Sequence, residues 1–330
     1  MSKFVGRCPE NSTDCYRYIA PWEIADVVLT VPFYCFHISV TIFIFRQIYA
    51  GAPYFQSAFY RLFAVLSIAD ILHSTNIQLT VRLFSYGIFL RFWEWSSPFL
   101  ANPGYLASAY CSYVQFFIHT LMAINRFTAF AYSQQYGKMW HPRRVKWMIL
   151  VIVILPLFFM SFRFPAEAEF FYVAPNQMGD HYKNQQLYFF AGLTSALLSL
   201  FTSLTSFILE IAAIAAFRRH ARLYPISNQQ NHDLRLLFCS IIMLIGQSLY
   251  TAFYCTVIYA AIIKNPSIVG FAQQHVIWIL DIFCLSGPVC LMLSSRVIRS
   301  LYLDFYRIRK IKSHIIVEMT TSAPNRIHPQ

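Results

Sequence analysis

Among the few side chains that carry formal charge inside long apolar stretches of the sequence are Asp70, Arg82, Glu210 and Asp281. An ionisable group in hydrocarbon is costly, so each needs a polar partner and each is a candidate for function. Asp70 has His73 one helical turn on and Asn76 beyond it, a pattern that suits a conformational switch or, equally, a carboxylic acid held for packing. Asp281 is followed by Ser286-Gly287-Pro288. It and Arg82 suit either a functional role or a mutual contact. Nothing in the sequence resembles a catalytic constellation. His37, His73, His119 and His275 are spread over four apolar runs without the paired spacing of a zinc site. The last apolar run has no Lys for a Schiff base, and no Gly-rich phosphate loop or nucleophile elbow occurs. The expectation is a non-enzyme without metal or cofactor.

These residues sit in a chain of 330 residues that is 57% hydrophobic and 18% aromatic but only 12% charged, where a soluble domain carries about 25%. Mean hydropathy is +0.48. Apolar runs occupy residues 24–45, 59–84, 105–131, 147–164, 188–217, 234–263 and 271–294. Each approaches or exceeds the roughly 20 residues of a membrane span. The connectors 47–58, 91–104, 132–146, 165–186, 218–233 and 264–270 leave no room for a soluble domain. The expected fold is an all-α membrane protein, a bundle of seven transmembrane helices spanning residues 23–295. The third run, 105–131, would be its centre. Ser108, Ser112, Gln115, His119, Met122 and Arg126 recur every three or four residues along it. A stripe of this kind must face other helices rather than lipid. The spacing lets Arg82, Tyr86, Gln115, His119 and Gln274 reach a cavity in the outer half. Ser195, Ser199 and Ser203 form a four-residue repeat suited to close helix packing. Pro32, Pro156 and Pro288 are expected to bend their helices.

Basic residues suggest an orientation. With the N-terminus outside, 18 of the 26 Lys and Arg fall in inner segments, while eight of the 14 acids fall in outer ones. The net charge of +12 then belongs to the cytoplasmic face and suits anionic lipid or a cytoplasmic protein, not nucleic acid. Residues 1–22 form a polar tail without a signal-type apolar segment, so the first run is expected to direct insertion. The tail holds Asn11-Ser12-Thr13, an N-glycosylation acceptor, and Cys8 and Cys15. Those two cysteines can pair with each other, or one can pair with Cys111. After the last run, 296–312 reads as an amphipathic helix with Val297, Leu301, Phe305 and Ile308 on one face. Residues 313–330 read as a disordered cytoplasmic tail.

Seven spans, an outer N-terminus, Asp70, Asn125-Arg126-Phe127 and a proline in the last span resemble the G-protein-coupled receptors. Phe59-Tyr60-Arg61-Leu62-Phe63 with Asp70, and Asn125-Arg126-Phe127-Thr128-Ala129, resemble more closely the nematode serpentine receptor class gamma (Srg) chemoreceptors. The likeness extends over roughly residues 24–309. It implies a sensory-cell plasma-membrane receptor that binds an external small molecule and signals through a heterotrimeric G protein. Asp70, Asn125, Arg126, Asp281 and Pro288 would form the conformational switch. Asn125 stands where the rhodopsin-like triplet has an acid, Gly287 stands where its last span has Asn, and the second outer loop has no cysteine. The alternatives weighed against a receptor are a seven-helix ligand-gated ion channel and a small transporter. Nothing in the sequence specifies an oligomeric state.

Overall fold

The computed structural model describes residues 21–83, 90–174, 177–223 and 228–307. Seven long helices form the bundle: α1 (Pro21–Tyr49), α2 (Ala58–Ile77), α3 (Leu90–Ala131), α4 (Pro142–Phe159), α5 (Gln185–Leu223), α6 (Asn228–Ile262) and α7 (Pro266–Ser294). A shorter helix, α8 (Arg296–Phe305), follows α7. Strands β1 (Ala168–Ala174) and β2 (Gln177–Tyr182) make an antiparallel hairpin between α4 and α5. The hairpin marks one end of the bundle and Arg126 the other. Asn11, Cys8, Cys15, Tyr86 and residues 313–330 lie outside the described residues, and so does Ile308. Cys111 is buried and carries a free thiol.

Five helices are long and apolar enough to cross a membrane by length and composition, within Val27–Tyr49, Ala58–Arg82, Gln185–Arg219, Leu234–Ile262 and His275–Ser294. The other two differ for physical reasons. The polar stripe of α3 lowers its hydropathy, and α4 has only 18 residues, with Arg143, Arg144 and Lys146 in its first turn and a half. The chain is a multi-pass membrane protein whose outward surface is Phe, Leu, Ile and Val, including Phe158 on α4, Phe201 and Phe207 on α5, and Ile245 on α6. In hydrocarbon these side chains are at home, so the bundle buries polar groups instead.

The stripe on α3 faces inward as its spacing requires. Ser112, Gln115, His119, Met122 and Arg126 are all buried. The helix itself is longer than the apolar run. It begins at Leu90 and has 42 residues, roughly 63 Å of rise. The stretch 91–104, expected as a connector because of Pro98 and Pro103, is helical. Packing under the hairpin outweighs the local cost of the prolines. Trp93 and Ala101 are buried against Phe170 and Tyr182, the Trp93 and Phe170 rings meet at 5.6 Å, and the Phe170 N–H donates to Ser97 Oγ at 2.9 Å.

α2 and α3 approach closely at Gly104. A Cβ there would lie 2.9 Å from Thr80 Cγ2, and Thr80 is held by its hydroxyl, which donates to the Asn76 carbonyl at 2.8 Å. The Asn76 amide donates in turn to the Gly104 carbonyl at 2.9 Å. Thr80 lies in a π-helical turn, Gln78–Arg82, that ends α2. Such turns re-aim the side chains that follow them, and here Arg82 is directed into the bundle.

At the other end, a single helical turn, Tyr136–Met139, folds the α3–α4 connector back onto α3. α8 is capped by Ser295 Oγ, which accepts from the Ile298 N–H at 3.3 Å. It docks on α1: Tyr302 and Ser39 hydroxyls meet at 2.7 Å, and Phe43 takes Tyr302 and Phe305 edge-on at 5.6 and 5.5 Å. The face centred on Ile298, which is fully buried, lies one residue round from the expected Val297 face.

Candidate functional site

The middle of the bundle holds a hydrogen-bonded chain whose direction follows from proton counting. Gln115 Nε2 on α3 donates to Asp70 Oδ1 on α2 at 2.7 Å. The Gln115 oxygen is therefore an acceptor, so His73 Nδ1, 2.8 Å away, carries the proton. His73 Nε2 then accepts from Ser108 Oγ at 3.2 Å. The Ser112 hydroxyl donates to the Ser108 carbonyl at 2.9 Å and accepts from Tyr250 of α6 at 3.2 Å. Tyr254 meets Tyr250 at 2.9 Å. On the α7 side, Cys284 Sγ lies 3.4 Å from Gln115 Nε2. Asp70, His73, Ser112, Gln115, Tyr250 and Cys284 are all nearly inaccessible. One network thus ties α2, α3, α6 and α7. Each link has a defined partner, so the array is expected to change as a unit rather than bond by bond.

Nearer the hairpin, Arg82 Nη2 donates to Asp281 Oδ2 at 2.6 Å, with both side chains largely buried. Thr30 Oγ1 of α1 donates to the same carboxylate oxygen at 2.8 Å. This mutual contact joins α1, α2 and α7. Of the two sequence readings of Arg82 and Asp281, the geometry contains the contact.

Arg163 was not among the residues singled out from the sequence. It ends a 3-10 turn after α4 and is 2% exposed. Its Nη2 donates to Tyr113 Oη and the Ala191 carbonyl, both at 2.6 Å, and to Ser195 Oγ at 3.0 Å. The guanidinium also lies 5.4 Å from the Tyr113 ring centroid. It stands at the end of the run 147–164, with Glu167 and Glu169 close behind it, and nothing in that pattern signals burial. Ser195, Ser199 and Ser203 pack as their spacing suggested, Ser203 bonding Thr251 of α6 at 2.9 Å.

At the far end of α3, Arg126 is 1% exposed and points into the bundle. Its Nη2 donates to Asn125 Oδ1 at 2.6 Å, and its guanidinium lies 4.6 Å from the Phe59 ring centroid. Asn125 Nδ2 donates to Tyr136 Oη at 3.0 Å, and Trp140 Nε1 donates to Thr128 Oγ1 at 2.8 Å. The Asn125-Arg126 pair is thereby covered by the folded-back connector. Pro288 is buried in α7, and beside it a Cβ on Gly287 would touch Phe63 and Met243.

Of the five side chains expected to line an outer cavity, the three that are described do not share one environment. Arg82 pairs with Asp281, Gln115 belongs to the central chain, and His119 lies a turn further along α3 against Phe283, ring centroids 5.4 Å apart. Tyr86 is outside the described residues, and Gln274 lies on the first half of α7.

The family model described as Srg family chemoreceptor matches residues 24–301 of this chain. Among characterised proteins, the chain is similar to a serpentine receptor class V-1 of Caenorhabditis elegans, 30% identical over 158 residues. That alignment covers 44% of this chain and 50% of the relative, so the matched region spans about half the relative's length.

Proposed function

The chain belongs to the Srg family of chemoreceptors, and from that premise we propose that it binds an external small molecule and signals through a heterotrimeric G protein at the plasma membrane of a sensory cell. The N-terminal tail, residues 1–22, and the hairpin face outward. The bundle, 23–295, spans the bilayer, and 296–312 and 313–330 form the cytoplasmic juxtamembrane helix and tail. The observation that carries the reading is the buried chain from Asp70 through Gln115 and His73 to Tyr250. A network of satisfied bonds across four helices has few low-energy arrangements, and a ligand shifts between them by binding one more tightly than the other.

Asp70, Asp281 and Pro288 act on α2 and α7 in this scheme. Asn125 and Arg126 act at the cytoplasmic end, where separation of α3 from Phe59 and Tyr136 frees the guanidinium for the G protein. The test is a panel of small molecules applied to cells expressing the receptor, read out by G-protein activation. With an activating molecule in hand, Arg126→Ala at normal surface level is expected to weaken ligand-evoked signalling by about tenfold or more, equivalent to about 1.4 kcal/mol of coupling. Undiminished signalling by that variant would remove Arg126 from the mechanism.

A further inference from the structure

Between the central chain and Arg126 lies a small internal cavity lined by α3, α5 and α6. Its volume is about 10 Å³, the size of one water molecule. His119, Glu210 and Gln247 line it together with Ser206 and Ser240. His119, Glu210 and Gln247 are 6%, 3% and 0% exposed. Each turns one atom without a hydrogen-bond partner: His119 Nε2, Glu210 Oε2 and Gln247 Oε1. Three unmet polar atoms on one water-sized hole, each from a different helix, is not how a closed apolar core is built.

The neighbours fix which atom of Gln247 faces the cavity. The Thr202 hydroxyl donates to the Leu198 and Ser199 carbonyls. It can therefore only accept from Gln247 Nε2, at 3.1 Å, which leaves Gln247 Oε1 as the atom facing the cavity. Ser206 donates to Thr120 and Ser240 to the Leu237 carbonyl. The cavity thus suits a guest that donates to Gln247 Oε1 and can hydrogen-bond both Glu210 Oε2 and His119 Nε2. A water molecule has that valence. A small cation in the same space would carry its charge into surroundings shared with Arg126, which acts electrostatically on Glu210.

We propose that this cavity is a binding site for a single water that bridges His119 of α3, Glu210 of α5 and Gln247 of α6. The water is the pin that holds these three helices in register midway between the central chain and Arg126. If the ends of α3, α5 and α6 near Arg126 take a second arrangement on activation, the pin must be lost or rebuilt when they move. That consequence rests on the reading of the bundle as a signalling switch; the site itself does not.

The test is a double-mutant cycle on the thermal unfolding midpoint of the full-length purified receptor, with His119→Leu, Gln247→Leu and the pair. Among the described residues no direct hydrogen bond joins these two side chains, so a shared water predicts that each single change lowers the midpoint by several degrees. The pair should cost clearly less than their sum, because the second change removes a group the first has already orphaned. Strict additivity would overturn the proposal. A variant that fails to fold is replaced by its polar counterpart, His119→Asn or Gln247→Ser, in the same cycle. Exchanging sodium for choline is expected to leave the wild-type midpoint unchanged. A sodium-dependent shift that Glu210→Gln abolishes would overturn the water in favour of a cation. Failure of signalling alone would count against the switch and not against the pin.

Discussion

Gln115 is the residue on which the central chain turns, because its amide nitrogen donates to Asp70 and its oxygen accepts from His73. Gln115→Leu keeps the volume and removes both bonds, leaving Asp70 and His73 buried without them. The expected loss is about 2 kcal/mol, read as a lower thermal midpoint of the purified protein; a midpoint equal to wild type would show that the chain contributes nothing to stability. Asp281→Ala tests the second polar node. It strips the buried Arg82 guanidinium of its carboxylate, and removing one partner of a buried pair costs about 3 kcal/mol or more. Replacing both, as Arg82→Met with Asp281→Leu, is expected to be milder than Asp281→Ala alone. The reverse order in an unfolding experiment would mean the pair is not the unit described. At this scale the sequence pointed to buried charged residues and allowed the Arg82–Asp281 contact, but it did not give the partners of Asp70. Asp70, Arg82 and Asp281 were conspicuous because charge inside apolar runs is rare. Arg163 was invisible because it lies at the very end of its run, where a cation ordinarily reaches water.

Among the elements, the α2–α3 seam depends on a missing side chain. Gly104→Val places methyl groups where Thr80 already lies 2.9 Å from a bare Cβ. Thr80 cannot swing away without losing its bond to the Asn76 carbonyl. Overpacking of this kind costs about 1–3 kcal/mol, and it should also displace the π-turn that aims Arg82. Gly104→Val is therefore expected to lower the midpoint more than Gly104→Ala; equal and negligible effects would show that the seam can relax. The seven runs and the amphipathic helix were legible from hydropathy and periodicity, which local sequence expresses directly. The helix over 91–104 and the hairpin were not. Proline argued for a break there, and the hairpin strands are stabilised by contact with Trp93, Ser97 and Tyr105 on another element.

For the whole molecule, the basic residues predict that the Arg126 end and α8 face the cytosol. An epitope placed after Met1 is then expected to be stained on intact cells, and Asn11→Gln to abolish any glycosidase-sensitive shift in mobility. Staining only after permeabilisation would invert the bundle and place Arg126 on the wrong side for a G protein. The exposed Lys183–Glu167 pair at the base of the hairpin, 3.0 Å long, is on the opposite end. It contributes little to the fold because water screens it.

The sequence alone determined that this chain lives in a bilayer, how many long apolar segments it has, which face of the third is polar, and the family its motifs resemble. Those properties are sums or periods over neighbouring residues, and lipid enforces them segment by segment. Only the tertiary structure decided that Gln115 joins Asp70 to His73, that Arg82 closes on Asp281, that Arg163 is interior, and that His119, Glu210 and Gln247 meet around one small hole. Each of those pairings brings together residues far apart in the chain, and a hydrogen bond is made or lost over a fraction of an ångström that no local pattern encodes.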